Sequence, residues 1–453
     1  MKKTILFIAL YTAFGISLKA QVQVKAAPAT GFEQRIKSYV DKMKIVDTHE
    51  HLEDQAGWIR PGKLDFMLLL QHYAYDDIRS AGMPKQTFNT LLTDSLTVME
   101  KWNILKPYWE QTFNTAYCRA ALLTADKLFG IKDLNETTVE PLSAKIKQAY
   151  QTNWYNTVLN EKCNIDYFLV DGDDTMLADP KTFKHVKRLG EFIFAVSAKK
   201  IEGIAKEQNT PIRNLDDFVT ALGVTFHKAL AHNNVAIKIG VAYERDLYFE
   251  DVSKEKAEEV FRKIMALPAG QILKYNGPEI KPLQDYMVHR ILDLARETKT
   301  PIQFHTGLQA GDGNYIDNSN PTHLTNLFLK YRDVKFILFH GGYPFGGELA
   351  AVAKGFKNVY IDMCWLYIIS PSYSIRYLHE WLETVPASKI MAFGGDFRNV
   401  ENVYGHLLFA KQIVTKVLTE KVRDGYFTEQ EALKIAQLIL HDNAVRILNL
   451  NKN

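Results

Sequence analysis

Short apolar, β-branched runs recur along this chain between longer stretches in which apolar residues have helical spacing. The runs predict eight strands, at residues 45–48, 167–170, 192–195, 235–240, 302–305, 335–340, 359–362 and 390–393. The longer stretches between the later strands predict helices at 281–298, 321–331, 347–356 and 374–384. Parallel strands are joined by crossovers that are usually helices, so this alternation predicts a parallel sheet. Eight such units predict an α/β fold, a (β/α)8 TIM barrel.

One connection, residues 52–160, is much longer than the others and is mostly helical and aromatic. It follows the first strand and therefore emerges on the face where barrel enzymes build their sites. We interpret it as a helical cap that narrows access to a pocket. The alternative is a packing subdomain that has no contact with substrate.

Two histidines one residue apart, His49 and His51, lie at the end of the first predicted strand, in the sequence Asp-Thr-His-Glu-His. Residues i and i+2 of a strand point to the same side, so both imidazoles can bind a single cation. Imidazole favours zinc, iron, nickel or copper over magnesium or calcium. Glu50, between the two, is expected to point away, and we assign it no catalytic role.

Three later strands also end at a residue that can bind a metal, each followed or preceded by glycines. His305 ends strand five, His340 ends strand six, and Asp396 follows strand eight. In a barrel these ends converge on one mouth, although they are far apart in sequence. The set formed with His49 and His51 is rich in nitrogen and has one carboxylate, as catalytic zinc sites prefer.

On these motifs the chain resembles the amidohydrolase superfamily, and within it the amidohydrolase-related branch. The motifs are Asp-Thr-His-Glu-His-Leu at 47–52, Phe-His-Thr-Gly at 304–307, Phe-His-Gly-Gly-Tyr-Pro at 339–344 and Gly-Gly-Asp at 394–396. The ending His-Asp-Asn-Ala-Val-Arg-Ile-Leu at 441–448 is similar to that branch's closing helix. The aromatic insert resembles that of uronate isomerases and of the hydrolase-like half of glutamine-synthetase fusion proteins. The resemblance covers residues 42–450 and implies a distorted barrel.

The resemblance also implies roles for the site residues. His49 and His51 would be the strand-one metal ligands, and His305 the strand-five ligand or, in members with another metal arrangement, a substrate contact. His340 would bind metal or polarise the substrate. Asp396 would hold the metal and shuttle a proton. The implied cofactor is a divalent metal, zinc, with one or two ions in each chain.

Two basic residues on or after strand four keep more than one interpretation. Lys238 lies inside the apolar strand. In family members with two metals a carboxylated lysine on this strand bridges the ions, and burial favours the neutral amine that carboxylation requires. Lys238 can equally stay charged and bind a substrate carboxylate, or snorkel outward from the barrel wall. Arg245 can bind a substrate anion through its planar fork, or form a salt bridge within its loop.

Composition narrows the class of partner. The 55 basic and 52 acidic residues give a net charge of +3, which is too balanced to indicate nucleic-acid binding. A hydrophobic content of 47% indicates a globular chain, and barrels of this length form single domains. We therefore expect a small-molecule substrate. Barrels of this superfamily are frequently oligomeric, so a homo-oligomer is one possible assembly.

The first residues predict an export signal. A basic start precedes a mostly apolar stretch at 4–18, and Ala20 provides a small residue for cleavage. The stretch is too short for a comfortable membrane span, so we expect residues 1–20 to be removed, residues 21–41 to form a leader, and the protein to be periplasmic or secreted. The alternative is a buried first helix, against which Gly15 and the basic start argue.

The three cysteines, Cys118, Cys163 and Cys364, are few, odd in number and far apart, which does not indicate a disulfide framework. Each is interpreted as a small core residue.

The sequence as a whole predicts a metal-dependent hydrolase that activates water on a divalent metal to cleave an amide, lactone or ester bond of a small anionic substrate. The first alternative is a lyase or isomerase on the same scaffold, which decarboxylates an acid or isomerises a sugar acid. The second is a binding protein that has kept the barrel and lost the chemistry.

Overall fold

Eight parallel strands form one sheet in strand order β1 to β8 in the described part of the chain. The structure is a computed structural model that describes residues 31–60, 62–172 and 179–451. The strands are β1 Ile45–Glu50, β2 Ile165–Asp171, β3 Phe183–Arg188, β4 Asn234–Ile239, β5 Ile302–Phe304, β6 Phe336–Leu338, β7 Val359–Asp362 and β8 Ile390–Met391.

Helices separate these strands and cover the sheet. The α-helices are α1 Gly31–Lys42, α2 Gln55–Trp58, α3 Ala74–Ser80, α4 Lys85–Leu91, α5 Val98–Thr112, α6 Ala116–Phe129, α7 Val139–Ala149, α8 Gly190–Ile193, α9 Ala198–Glu207, α10 Leu215–Ala231, α11 Lys254–Met265, α12 Lys281–Thr298, α13 Thr325–Lys330, α14 Gly346–Gly355, α15 Leu366–Ile369, α16 Pro371–Thr384, α17 Val400–Arg423, α18 Glu429–Gln437 and α19 Asn443–Ile447. Shorter 3-10 helices lie at Phe66–Leu69, Val241–Tyr243, Ile316–Ser319, Pro321–Leu324, His340–Gly342 and Ala387–Lys389, and π-helical turns at Asn156–Lys162 and Leu438–Asp442.

Backbone hydrogen bonds join the segment after β8 to β1 and so close the barrel. The amide of Thr48 donates to the carbonyl oxygen of Phe393 at 3.1 Å, and the amide of Asp396 donates to that of His49 at 2.9 Å. The predicted fold, a distorted (β/α)8 barrel, is confirmed.

Seven of the eight predicted strands overlap an observed strand, and the third prediction is wrong. Residues 192–195 overlap helix α8, whereas β3 is Phe183–Arg188. Only Val186 of this strand is fully buried, because lysine, histidine and arginine occupy most of its other positions. A search for apolar runs therefore passes over it.

The region predicted as an insert, residues 52–160, contains helices α2 to α7. Helix α6 packs against α17 of the barrel, where Gly405 touches Thr124 so closely that a Cβ atom on Gly405 would lie 1.9 Å from Thr124 Oγ1. Any other residue at position 405 would push the two helices apart. The insert is thus packed directly on the barrel.

Part of the predicted leader is folded. Helix α1, Gly31–Lys42, buries Ile36 and Val40 and contacts α17 and α18, because its apolar residues lie on one side. Residues 31–41 of the predicted leader thus belong to a helix that packs on the rest of the chain, whereas residues 1–30, with the predicted export signal, lie outside the described residues. Among the described helices none is both long and apolar enough to cross a membrane.

A buried carboxyl group links the insert to the barrel and makes stability depend on pH. Glu401 accepts hydrogen bonds from Trp154 Nε1 at 2.8 Å and from the Tyr150 hydroxyl at 3.3 Å. Burial raises the pKa of Glu401 from its ordinary 4.5 to about 7. Between these values the folded protein keeps a proton that the unfolded chain releases, so stability falls as pH rises through this window.

We expect Glu401→Gln to remove this dependence, because glutamine keeps the polar contacts and carries no charge. At pH 8 the variant should be more stable than the parent by about 3 kcal/mol, and near pH 4 the two should match. Urea unfolding at both pH values measures the difference. The exposed Glu297→Gln is the control and should change neither value. A Glu401→Gln variant that is less stable than the parent at pH 8 would contradict the assignment.

Candidate metal centre

Three side chains from two ends of the chain converge at the carboxyl ends of the strands. His51 Nε2 lies 3.1 Å from Asp396 Oδ1, and His49 Nε2 lies 3.5 Å from the same oxygen. The bulge in β1 between Asp47 and Glu50 and the backbone pairing of His49 with Asp396 bring them together. This trio, His49, His51 and Asp396, has ligand atoms that all lie within 4.8 Å of one another.

Several residues of the site have a strained backbone. His340, Trp365 and Asp396 have φ values of 60°, 65° and 61°, in the left-handed region that residues other than glycine rarely adopt. Each such residue costs of order 1–3 kcal/mol, and this conformation is found mainly at functional sites. Here it turns His340 and Asp396 from the ends of their strands towards the barrel axis.

Electrostatics give the trio one anion, Asp396, and one neutral imidazole, His49. Burial lowers the pKa of His49 well below its ordinary value, so this imidazole is neutral near pH 7. Burial alone would raise the pKa of Asp396, but the facing imidazoles of His49 and His51 hold it well below its ordinary value. The carboxylate is therefore ionised although its side chain is only 6% exposed.

This donor set fits a divalent cation. Neutral imidazole and ionised carboxylate are the forms in which histidine and aspartate bind metals. A lone pair on the neutral His49 imidazole repels the Asp396 carboxylate that it faces. A positive ion between the two would remove this repulsion. Amidohydrolases, the family that the sequence motifs indicate, are metal-dependent, and these residues are candidates to hold the ion.

His305 and His340 form a chain of hydrogen bonds beside the trio. His305 Nε2 lies 2.9 Å from the carbonyl oxygen of Leu308, and His305 Nδ1 lies 3.1 Å from His340 Nε2. A carbonyl only accepts, so His305 donates through Nε2, and its Nδ1 faces His340 Nε2. Both nitrogens of His305 are thus engaged. The structure brings His305 into the site, but as a support for His340 and not facing Asp396.

The second nitrogen of His340, Nδ1, faces the carbonyl oxygen of Cys364 and the carboxylate of Asp396. Burial lowers the pKa of His340 to about 3, so the ring is neutral and carries one proton. The carbonyl oxygen of Cys364 can only accept, so a proton on Nδ1 donates to it. His340 Nδ1 lies 3.9 Å from Asp396 Oδ2 and 3.1 Å from the carbonyl oxygen of Cys364.

Lys238 points into the barrel, so the interpretation of a lysine that snorkels outward is wrong. Its side chain is buried, and Nζ lies 3.2 Å from the centre of the Phe339 ring. Nζ has no hydrogen-bond partner among the residues that the structure describes. Burial lowers the pKa of Lys238 to about 8, so a fraction of the amine is neutral near physiological pH. Both remaining interpretations, a carboxylated bridge and an anion contact, fit this position.

The site also contains an acid and a base that the sequence analysis missed. Asp171, at the end of β2, places Oδ2 3.5 Å from His49 Nε2. Arg188, at the end of β3, donates to both oxygens of Asp171 at 2.5–2.8 Å, and its side chain is 50% exposed. Asp171-Gly172 repeats the pattern of a polar residue and a glycine after an apolar strand, so a signal for it was present.

The insert reaches the same site, which supports its interpretation as a cap. Tyr73, just before α3, stacks on Trp365 with ring centres 4.2 Å apart and on His72 at 4.1 Å. Burial, with additional contributions that include a hydrogen bond to Asp396, raises the pKa of Tyr73 well above its ordinary value. The hydroxyl therefore stays protonated beside the ionised Asp396. No local pattern in the sequence distinguishes Tyr73 from other aromatic residues of the insert.

Arg245 is not brought to the trio. Its guanidinium group donates to Asp285 Oδ1 at 2.6 Å and to the carbonyl oxygen of Tyr248 at 2.5 Å, and its side chain is 7% exposed. The guanidinium group thus forms a structural salt bridge, as the alternative interpretation had it, but its closest acidic partner is Asp285 of α12 and not a residue of its own loop. We therefore leave Arg245 out of the site.

Comparison with known proteins supports the family resemblance. Residues 269–450 match the family model described as Amidohydrolase. That segment contains His305, His340 and Asp396.

The resemblance to amidohydrolases is confirmed.

A curated relative, Protein fluG of Emericella nidulans, is 29% identical over 225 residues, which are 48% of this chain and 26% of the relative. The matched region thus spans about a quarter of that relative's length.

Solved structures with the same fold include isomerases and a hydrolase. Uronate isomerase of Thermotoga maritima has a TM-score of 0.74 and 17% identity, covering 92% of this chain and 97% of that one. Glucuronate isomerase of Caulobacter crescentus has a TM-score of 0.76 and 15% identity, covering 93% and 94%. A protein of Lactobacillus casei assigned as a metal-dependent hydrolase has a TM-score of 0.64 and 19% identity, covering 92% and 99%. At these identities the similarity to the three solved structures shows a shared fold.

Proposed function

We propose that this protein is a metal-dependent hydrolase of a small anionic substrate that contains an amide, lactone or ester bond. The observation that carries the proposal is the convergence of His49, His51 and an ionised Asp396 at the strand ends, with His340 beside them. His49, His51 and Asp396 would hold a divalent cation, for which we propose zinc. When bound, such an ion makes water acidic enough to attack near neutral pH and polarises a carbonyl group.

Asp396 is the proposed general base and acid. Its carboxylate is ionised, so it can take a proton from the attacking water, and the strained backbone fixes its position. The proton then passes from Asp396 to the leaving group. His340 lies on the Oδ2 side of Asp396, where its ring can orient or polarise the substrate carbonyl.

Arg188 and Lys238 are the proposed anion contacts. The side chain of Arg188 is half-exposed at the mouth of the barrel. Its guanidinium group has five N–H donors, and Asp171 accepts from only some of them. Lys238 Nζ has no other hydrogen-bond partner among the described residues, so a substrate carboxylate or the carboxylated lysine itself would satisfy it. The two residues are paired in register on neighbouring strands, so one anion can reach both.

We expect Arg188→Gln to weaken substrate binding more than turnover. A hydrogen bond to a charged group contributes about 1.5–3 kcal/mol, so KM should rise about 10- to 150-fold while kcat changes by less than tenfold. Steady-state kinetics measure both constants. Arg332→Gln, an exposed arginine at the other end of the barrel strands, is the control and should leave KM unchanged. An unchanged KM in Arg188→Gln would contradict the anion contact.

Isomerisation of a sugar acid is the second candidate, and the enclosure of the site favours it. The side chains of His49, Asp396 and His340 are 2%, 6% and 1% exposed, so little bulk water reaches the centre. A closed site suits proton transfer within one substrate. Proteins named as uronate isomerases share the fold over 92–93% of this chain, which makes uronates sensible test substrates.

One experiment separates the candidates. Metal-loaded protein is incubated in oxygen-18 water with carboxylate-bearing lactones, esters and amides and with uronates, and the products are weighed by mass spectrometry. Hydrolysis places one oxygen-18 atom in the new carboxyl group, whereas isomerisation adds no label beyond the exchange of the sugar carbonyl with solvent, which the metal-free protein also shows. The metal-free protein is the control. Absence of turnover with and without metal across both classes would contradict both candidates and favour the binding protein.

A further inference from the structure

Residues 307–319 follow β5 and form a compact surface loop at the mouth of the barrel, here named the β5 loop. A 3.0 Å hydrogen bond from the amide of Gly307 to the carbonyl oxygen of Ser319 joins its two ends. Residues 311–317 are all exposed, and Gly311 and Gly313 have φ values of 91° and 81°, which glycine adopts without strain. Loops whose ends lie together in this way are frequently functional.

Two side chains of the cap hold the exposed part of the β5 loop. Asp76 and Arg79 both lie in α3, which contacts α5 and α6 and is thereby fixed within the cap. Asp76 Oδ2 accepts a 3.0 Å hydrogen bond from the amide of Gly311. Arg79 Nη2 donates to Asp312 Oδ2 at 2.5 Å. The loop is thus fastened from the barrel to the cap, and because water screens an exposed ion pair, this fastening can open at little cost.

The inner end of the β5 loop contacts the histidine that supports His340. The carbonyl oxygen of Leu308 accepts from His305 Nε2 at 2.9 Å, and His305 Nδ1 faces His340 Nε2 at 3.1 Å. The Tyr243 ring packs on that of His305 with centres 4.7 Å apart, and the Tyr243 hydroxyl accepts from the amide of Ala310 at 3.3 Å. The loop therefore holds the His305 ring directly through Leu308 and indirectly through Tyr243.

Gln309 connects the inner part of the loop to the exposed part. Its side chain is buried, and Nε2 donates to the carbonyl oxygens of Ala242 at 3.1 Å and of Tyr315 at 3.2 Å. Tyr315 lies in the exposed part, and Leu308 is the neighbour of Gln309 in the chain. Release of the exposed part therefore removes support from the carbonyl group that holds His305.

We propose that the β5 loop is a gate over the ion site, that Asp76 and Arg79 latch it to the cap, and that only the latched loop holds His340 in position. The proposal rests on the proposed function, because it requires His340 to act on a substrate. The side chains around the ion site are almost fully buried, so entry of a substrate requires an opening, which release of the loop provides. Asp76 and Arg79 are thus positioning residues, and the cap regulates turnover through the loop.

A charge-swap cycle tests the latch. Asp312→Arg is the first variant, because this side chain is 78% exposed and the substitution places a like charge against Arg79 without disturbing the core. Arg79→Asp is the reverse change, and the double variant restores an ion pair with its signs exchanged. Hydrogen–deuterium exchange of residues 307–319 measures opening and needs no substrate.

We expect the loop in each single variant to exchange about three- to tenfold faster than in the parent, and the loop in the double variant to return towards the parental rate. Asp251→Arg is the matched control, since Asp251 is another exposed aspartate that forms an ion pair with a helix residue, Lys330. This control should leave the exchange of the β5 loop unchanged.

The same variants test the coupling to the site. The proton that His305 Nε2 donates to Leu308 gives a downfield signal in the NMR spectrum of protein labelled with ¹⁵N-histidine, and its loss in His305→Gln identifies it. We expect this signal to broaden in both single variants and to recover in the double variant. The kcat should fall about three- to tenfold and recover in parallel, with the metal content unchanged.

Different results would overturn different parts of the proposal. Unchanged exchange of the loop in Asp312→Arg would overturn the latch. An unchanged His305 signal, or an unchanged kcat in an active protein, would overturn the coupling to His340. If exchange and the His305 signal change as expected but the parent turns over no substrate of either class, the gate stands and the proposed function fails instead.

Discussion

Replacing Asp396 by asparagine should nearly abolish turnover, because asparagine keeps the shape of the side chain but cannot take up a proton. General acid–base catalysis contributes about 10²–10⁴-fold, and Asp396 performs both proton transfers in our proposal, so we expect kcat to fall about 10³-fold or more. The two imidazoles of β1 remain, so the variant should retain most of one equivalent of metal. Steady-state kinetics and elemental analysis of the same sample test both parts.

Asp424→Asn, at an exposed turn after α17, is the matched control and should retain full activity. An Asp396→Asn variant with more than a tenth of the parental kcat would contradict the proton-transfer role. Complete loss of metal from a folded variant would instead make Asp396 mainly a ligand.

Replacing both His49 and His51 by alanine should remove the proposed ion. Two of the three ligand groups are then lost, and the remaining carboxylate is a weak site alone. Loss of the ion also lowers stability, since an ion at a free concentration of 100 times its Kd stabilises the folded state by about 2.7 kcal/mol. Added zinc should therefore raise the unfolding midpoint of the parent clearly more than that of the variant.

Thermal unfolding with and without zinc, together with elemental analysis, makes the comparison. His227→Ala with His232→Ala removes two exposed histidines, one in α10 and one directly after it, and should behave as the parent does. A double variant at His49 and His51 that keeps the full metal content and activity would show that the trio is not the metal centre.

The regular part of the fold could be predicted because its strands are apolar and its helices are periodic. Helix α12 and strand β7 match their predicted bounds. Strand β3 could not be found in this way, because lysine, histidine and arginine lie along it. The sequence of a strand that borders a charged site can therefore lack the apolar pattern of a strand in the core.

The site was predictable where a ligand-type residue follows an apolar strand, as for His49, His51, His340 and Asp396. Asp171 has the same pattern, because it ends the apolar strand β2 and is followed by Gly172, so the sequence carried a signal for it. The orientation of His305 depends on hydrogen bonds to Leu308 and His340, which only the structure shows.

Gly405 and Glu401, where the cap meets α17, have a consequence for how the molecule unfolds. The cap shares a buried helix contact and a buried polar cluster with the barrel, so neither can separate without exposing the other's interior. Calorimetry should therefore give one cooperative transition, and a barrel from which the cap has been deleted should not fold alone. Exchange of caps between related barrels would succeed only when helix α17 is exchanged with them.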